Sequence, residues 1–395
     1  MRSPLVKQII AILFFRLLLN TGRRFVYPFA PVLSRELAVP LSAITSIIAT
    51  CQVTTLLGLF SGPMADRFGF RVMMRTGLAM LTIGMFLCCL TKEYSIIFLG
   101  LLVASFGKVV FDPAIQAFIG HNVPYVRRGR IIGIVETAWA GSTLIGIPTL
   151  GLIIGNTGLN GSFYLMVVLG AIGWFTINHI IPADIPSSVS GKSGFLVFSS
   201  VSKLFKNRPA AGMLAFAFWV SIANDSLFVV YGAWLEQDFQ VGITTLGFST
   251  VAIGAAELLG ESMTALFADR MGLKKTIIIG LCLTMTAYMT LSFSINALWL
   301  ALVGMFFVFL AFEFTIVTSF SLSTELIAES RATMMAGFYA TAGLGRMIGV
   351  LIGGWLWHFG GITAVALSSM CMTGLALLSL IWGMQGWTGK EISRQ

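Results

Sequence analysis

Charge is what this chain has least of. Only 10% of its 395 residues are Asp, Glu, Lys or Arg, where a soluble domain carries about a quarter, and 57% are hydrophobic. That composition excludes an ordinary soluble enzyme or binding domain. Cysteine and histidine are scarce as well. Cys51, Cys88, Cys89, Cys282 and Cys371 all lie inside apolar runs, with neither metal-ligand spacing nor the pattern of an extracellular disulfide framework. His121, His179 and His358 stand near predicted helix ends and form no cluster. No metal site and no cofactor are expected. A phosphate-cradling glycine loop and a nucleophile elbow are missing too, so an enzyme is not expected, and any work must draw on an ion gradient. Acidic residues are the minority, 16 against 25 Lys and Arg, for a net charge of +9. The cations sit in short loops between apolar runs, the pattern that orients membrane proteins, so nucleic acid is not an expected partner.

What is present is apolar length. A helix needs about 20 residues to cross the hydrocarbon, and such segments run at 6–32, 42–61, 72–90, 94–119, 131–154 and 163–181. A polar stretch, 182–208, follows. Six more spans lie at 210–235, 244–267, 276–293, 297–322, 332–357 and 362–384. The expected fold is an all-α membrane protein of twelve transmembrane helices in two pseudo-symmetric six-helix halves, 1–181 and 209–395, joined by a middle loop, 182–208. The first span begins basic and runs past signal-peptide length without a small-residue cleavage site, so it reads as uncleaved. Forty-two glycines suit packed membrane helices, whose backbones approach closely over small residues. One set of loops holds about eighteen Lys and Arg by the positive-inside count. The alternate set holds only Arg35 and Lys92. Both termini and the middle loop are therefore expected to be cytoplasmic.

The halves repeat. Residues 62–72 read Gly-Pro-Met-Ala-Asp-Arg-Phe-Gly-Phe-Arg-Val, and 265–275 read Ala-Leu-Phe-Ala-Asp-Arg-Met-Gly-Leu-Lys-Lys. A repeat at half the chain length means two copies of one unit. Residues 33–37 after span 1 parallel 235–239 after span 7, and Arg128 before span 5 parallels Arg331 before span 11, at nearly the same offset. In the turn, Asp66 can accept from amides at a helix N-terminus. Arg67 and Arg71 can pair with carboxylates or lipid phosphate, and Gly69 allows the tight bend. A plain topology-setting basic loop is the alternative reading.

On these residues the sequence resembles the major facilitator superfamily of secondary transporters, over essentially the whole chain. Gly62, Asp66, Arg67, Gly69 and Arg71 match the family's loop between its second and third helices. Asp269, Arg270, Gly272 and Lys275 match its second copy, with Ala265 in place of glycine. The resemblance implies that this loop is a conformational latch, holding one access state and breaking as the halves rock. Tyr27-Pro28-Phe29-Ala30-Pro31 is similar to the proline-bearing first helix of drug–proton antiporters. Gly133, Gly141, Gly146, Pro148, Gly151 and Gly155 are similar to the antiporter motif of the fifth helix, although Ile147 separates the motif's Gly-Pro. The fourth span lacks the family's exporter arginine, with Lys108 nearby.

Ionisable groups inside a bilayer are costly and normally face a cavity or a partner. In span 1, Arg16, Asn20, Arg23 and Tyr27 are spaced to share one face, with Arg24 beside them. Guanidiniums so placed can hold a carboxylate or phosphonate, or can pair with carboxylates of other spans. Six carboxylates are available: Asp112, Glu136, Asp225, Glu257, Glu261 and Glu313. Five cations stand against them, Arg16, Arg23, Arg24, Lys108 and Arg346, a near balance that favours internal pairing. Lys108 and Asp112 lie one turn apart. Arg23 and Asp225 are near symmetry mates on spans 1 and 7. A proton-coupled carrier needs a carboxylate that can hold and release a proton. Glu136 is the first candidate, one turn into span 5 with no opposite charge nearby in sequence. Glu257 with Glu261 one turn on, Glu313 among phenylalanines, and Asp112 complete the set. Each charge also reads as a structural ion pair.

The expected function is alternating-access transport of a small solute, proton-coupled and outward, of a drug or metabolite. An organic anion held by the span 1 arginines is an alternative, as is a non-transporting sensor or scaffold. Protons and membrane lipids are expected partners, in a monomer in a bacterial cell membrane.

Overall fold

The computed structural model describes residues 3–57, 67–182, 204, 206–293, 297–327 and 331–386. It is all-helical over them, and each predicted span is met by helix. Span 1 is α1 (Ser3–Arg24) followed by the short α2 (Ala30–Glu36), where the sequence pattern suggests one helix through residue 32. Pro28 and Pro31 explain the interruption, since proline lacks the N–H that would close the ladder and its ring crowds the preceding turn. Span 2 is α3 (Leu41–Val53) with a 3₁₀ turn, Thr54–Leu57. Spans 3 and 4 are α4 (Phe70–Leu90) and α5 (Tyr94–Asn122).

Span 5 is not one helix. It comprises α6 (Tyr125–Glu136), α7 (Ala138–Gly141), a π turn at Ser142–Gly146 and α8 (Ile147–Thr157). Pro148 cannot donate to the carbonyl four residues before it. The hydroxyls of Thr137, Ser142 and Thr143 bond back to Ile134, Trp139 and Ala140 carbonyls, competing with the backbone for them. Span 6 is α9 (Leu159–Ile180). The second six are α10 (Arg208–Phe239), α11 (Ile243–Met271), α12 (Leu273–Leu291), α13 (Leu298–Leu326) and α14 (Arg331–Gly383). The last is two helices separated by non-helical Gly360 and Gly361, which completes twelve.

Nine helical stretches among the described residues, counting the broken span 5 and the kinked α14 as one each, are long and apolar enough to cross a membrane. Large apolar side chains such as Phe14, Ile83, Phe175 and Leu378 stand exposed on their outer faces, as lipid contact requires. The chain divides into two compact units, residues 1–192 with 235–254, and residues 193–234 with 255–395. Within each, glycine sets the packing distance. A Cβ on Gly84 would overlap the carbonyl of Gly100, and one on Gly100 would lie 2.5 Å from the carbonyl of Gly84, so α4 and α5 touch backbone to backbone. In the second unit Gly345, Gly349 and Gly353 of α14 lie against the carbonyls of Phe218, Ile222 and Ser226 in α10. Without a hydrophobic drive between helices in lipid, such close packing carries association.

Candidate functional site

α1 and the broken span 5 run in register. Gly141 faces Leu17 and Gly146 faces Thr21, and this close approach delivers two arginines of α1 to span 5. Arg16 Nη2 lies 2.8 Å from Glu136 Oε2, its Nε 3.2 Å from Asp112 Oδ1, and its Nη1 donates to the Val135 carbonyl at 2.9 Å. Asp112 also takes Lys108 Nζ at 2.6 Å, one turn back on α5. The result is a four-membered chain, Glu136–Arg16–Asp112–Lys108, with two charges of each sign. Arg16 and Lys108 are each 9% exposed at the side chain, whereas Glu136 is 43% exposed. The chain is thus rooted in the packed interior and ends in an accessible carboxylate. Glu136, without an opposite charge nearby in sequence, acquires one across the fold, because span 5 packs on α1.

Two turns after Arg16, Arg24 Nη1 donates to the Trp139 carbonyl at 3.0 Å and to Ser142 Oγ at 3.2 Å. Its guanidinium lies 4.1 Å from the centre of the Trp139 ring, and Lys108 Nζ approaches the same ring at 5.7 Å. Trp139 occupies the stretch between the Thr137 turn and the π turn, an irregularity often found at functional sites. Arg23 and Tyr27 belong to a different cluster. Arg23 Nη2 donates to Gln52 Oε1 at 2.7 Å, and Gln52 Nε2 donates to the Tyr27 hydroxyl. The single face expected for Arg16, Asn20, Arg23 and Tyr27 therefore splits. Arg16 and Arg24, eight residues apart, turn to span 5, and Arg23 and Tyr27 turn to α3. Asn20, one turn from both Arg16 and Arg24, is fully buried, and neither amide atom has a hydrogen-bond partner among the described residues.

In the second unit Asp225, also buried, lies 3.8 Å from Arg346 Nε of α14 and accepts from Asn224 Nδ2 at 3.4 Å. Glu257 and Glu313 are buried and Glu261 is half-buried. A Cβ on Gly260 would lie 2.8 Å from Glu313 Cβ, so α11 and α13 cross where these carboxylates start. Among the described residues no group of His, Cys, Asp and Glu has metal-binding geometry.

Of the expected latch, Gly62 and Asp66 lie outside the described residues, as does the side chain of Asp269. Arg67 and Arg270 are exposed. Gly69 (φ 88°) and Gly272 (φ 85°) take the same left-handed conformation, each just before its helix, which explains why both copies need glycine there. Arg71 Nη2 donates to the carbonyl and side-chain oxygen of Asn178 at 2.6 and 2.7 Å.

Gln52, Trp139 and Ser142 were not legible as site residues. Trp139 and Ser142 follow Glu136 within six residues, a grouping that gains meaning only once Arg16 and Arg24 are known to face it.

A model described as the Major Facilitator Superfamily matches residues 12–228 and 214–391. The chain is 23% identical over 312 residues to the "Uncharacterized MFS-type transporter YceJ" of Bacillus subtilis (strain 168), covering 78% of this chain and 79% of that protein. It is 24% identical over 299 residues to the "Multi-drug resistance efflux pump PmrA homolog" of Lactococcus lactis subsp. lactis (strain IL1403), covering 74% and 72%. Among solved structures, the nucleoside transporter NupG aligns with a TM-score of 0.77 at 15% identity, over 97% of this chain and all of that one. At that identity the structural likeness speaks for the fold alone.

Proposed function

We propose, for a chain that belongs to the Major Facilitator Superfamily and is a multi-pass secondary transporter, that it exports a drug-like or metabolite solute in exchange for protons. The observation that carries this reading is the 2.8 Å pair between Arg16 and the accessible Glu136. With Glu136 ionised, the Glu136–Arg16–Asp112–Lys108 chain is neutral. With Glu136 protonated, it carries one net positive charge and Arg16 loses a charge-assisted bond. A proton and a positively charged or dipolar solute then oppose one another at this place, which is the coupling an exchanger needs. One distant relative named a multidrug resistance efflux pump and another named a multidrug resistance protein support the same direction.

In this reading residues 1–181 and 209–395 are the two moving halves joined by 182–208, and both chain ends face the cytoplasm. Asn20, Arg24, Trp139 and Asp225 stand as candidate solute contacts, with Arg23 and Tyr27 positioned through Gln52. Glu257, Glu261 and Glu313 are further proton-carrying candidates. The chain works as a monomer among lipids. An organic anion is less well supported, because three N–H groups of Arg16 are already given to Asp112, Val135 and Glu136. A passive scaffold would gain nothing from burying so many charges at this cost.

The test uses proteoliposomes with an imposed pH gradient and ethidium or benzoate as probe. Proton movement driven by ethidium and absent in Glu136→Gln, which still exchanges ethidium across the membrane, supports the reading. Proton coupling that survives Glu136→Gln removes Glu136, and movement of benzoate alone favours the anion reading.

A further inference from the structure

The two units share one arrangement that the repeat motif does not describe. In the first, Arg71 on the opening turn of α4 donates to the Asn178 carbonyl (2.6 Å), one of the last four of α9, and Gln8 at the start of α1 donates to the next but one, Ile180 (3.2 Å). In the second, Lys274 on the opening turn of α12 donates to the Met384 carbonyl (3.0 Å), just past the end of α14. Arg208 at the start of α10 donates to the Gln385 side-chain oxygen and lies 5.4 Å from the Trp382 ring. Each sixth span thus ends on a side chain from the first span and a cation from the third. The last carbonyls of a helix lack partners in the ladder and carry the negative end of its dipole, so a cation there is favoured. Arg71 and Lys274 each stand two residues after the left-handed glycine, Gly69 or Gly272. The glycine bends the chain so that this cation reaches the helix end.

We infer that Arg71 and Lys274 are paired positioning residues of the transport cycle. Each ties the turn before the third span to the end of the sixth span of its own unit, so that both move as one body. They act as braces inside a unit, which distinguishes them from a latch that must release. The acceptor decides the chemistry. A helix-end carbonyl accepts a point charge as well as a forked one, which is why arginine serves in one copy and lysine in the other. A carboxylate latch that needed a bidentate guanidinium would not tolerate that exchange.

Hydrogen exchange on the full-length protein in lipid nanodiscs tests this without a known solute. Arg71→Gln should speed exchange at Ile181 and at Met73, whose amides close the end of α9 and the start of α4, by about fivefold, and Lys274→Gln should do the same at Met384 and Thr276. The other unit should be unchanged in each case. Arg71→Lys and Lys274→Arg should keep wild-type exchange. If Arg71→Lys behaves like Arg71→Gln, the brace is wrong and a bidentate partner is involved. Unchanged exchange at Ile181 in Arg71→Gln, or a rise spread over both units, would overturn it equally.

Discussion

Arg35 at the end of α2 and Glu236 near the end of α10 meet at 2.6 Å, joining two helix ends that the internal repeat places in equivalent positions. Just beyond them, Ala38 and Gln240 adopt the same left-handed backbone, φ 51° and 52°. In the same unit, Thr250 donates to the Thr143 carbonyl at 2.7 Å and Gly151 meets Gly247 with no room for a Cβ. Arg35 is more than half exposed, so the pair is worth at most about 1 kcal/mol. Arg35→Glu should lower the melting temperature slightly, and the double exchange with Glu236→Arg should restore it. A double-mutant cycle in melting experiments at low salt reads the coupling, and high salt should erase it.

Arg16 is the hub of the buried chain. Arg16→Ala leaves Asp112 and Glu136 facing each other's charge without their shared cation. Both carboxylates are partly exposed, 31% for Asp112 and 43% for Glu136, so water screens them and the loss is smaller than for a fully buried pair. The expected result is a measurable fall in the melting temperature of purified protein. Arg16→Ala with Glu136→Gln should recover part of it, because Lys108 still neutralises Asp112.

Asn20 separates stability from function. A buried amide without partners costs about 1–3 kcal/mol, so Asn20→Leu, similar in size, should raise the melting temperature. If Asn20 contacts solute, the same change should weaken ethidium binding or movement. A lowered melting temperature instead would mean that the amide supports the fold.

Gly84 and Gly100 can be tested as a pair. A methyl at either position meets a facing carbonyl, and overpacking of this kind costs about 1–3 kcal/mol. Gly84→Ala and Gly100→Ala should each destabilise the protein, measured by thermal melting in detergent. Gly133→Ala, where nothing among the described residues lies within 4 Å of the added carbon, should not destabilise, because alanine is the better helix former.

Much of the fold was legible because the bilayer simplifies the code. Hydrocarbon demands helices of a set length, so apolar run lengths alone announce twelve, and the +9 charge sits in loops that can be counted. The breaks were harder. Proline marks the end of α1, whereas the π turn at Ser142–Gly146 depends on how hydroxyls and Pro148 share carbonyls within one helix.

What the sequence by itself determined is the repeat, the family and the supply of buried charges, since these follow from residue type and spacing along one chain. Only the tertiary structure decided how the charges are shared. Spacing on α1 cannot say whether Arg23 follows Arg16 toward span 5 or turns to Gln52, because residues three, four and eight apart all fall within a wide helical stripe. The neighbour that approaches most closely makes that choice. Here it is span 5, drawn onto α1 where Gly141 and Gly146 leave room for Leu17 and Thr21, and so Glu136 meets Arg16.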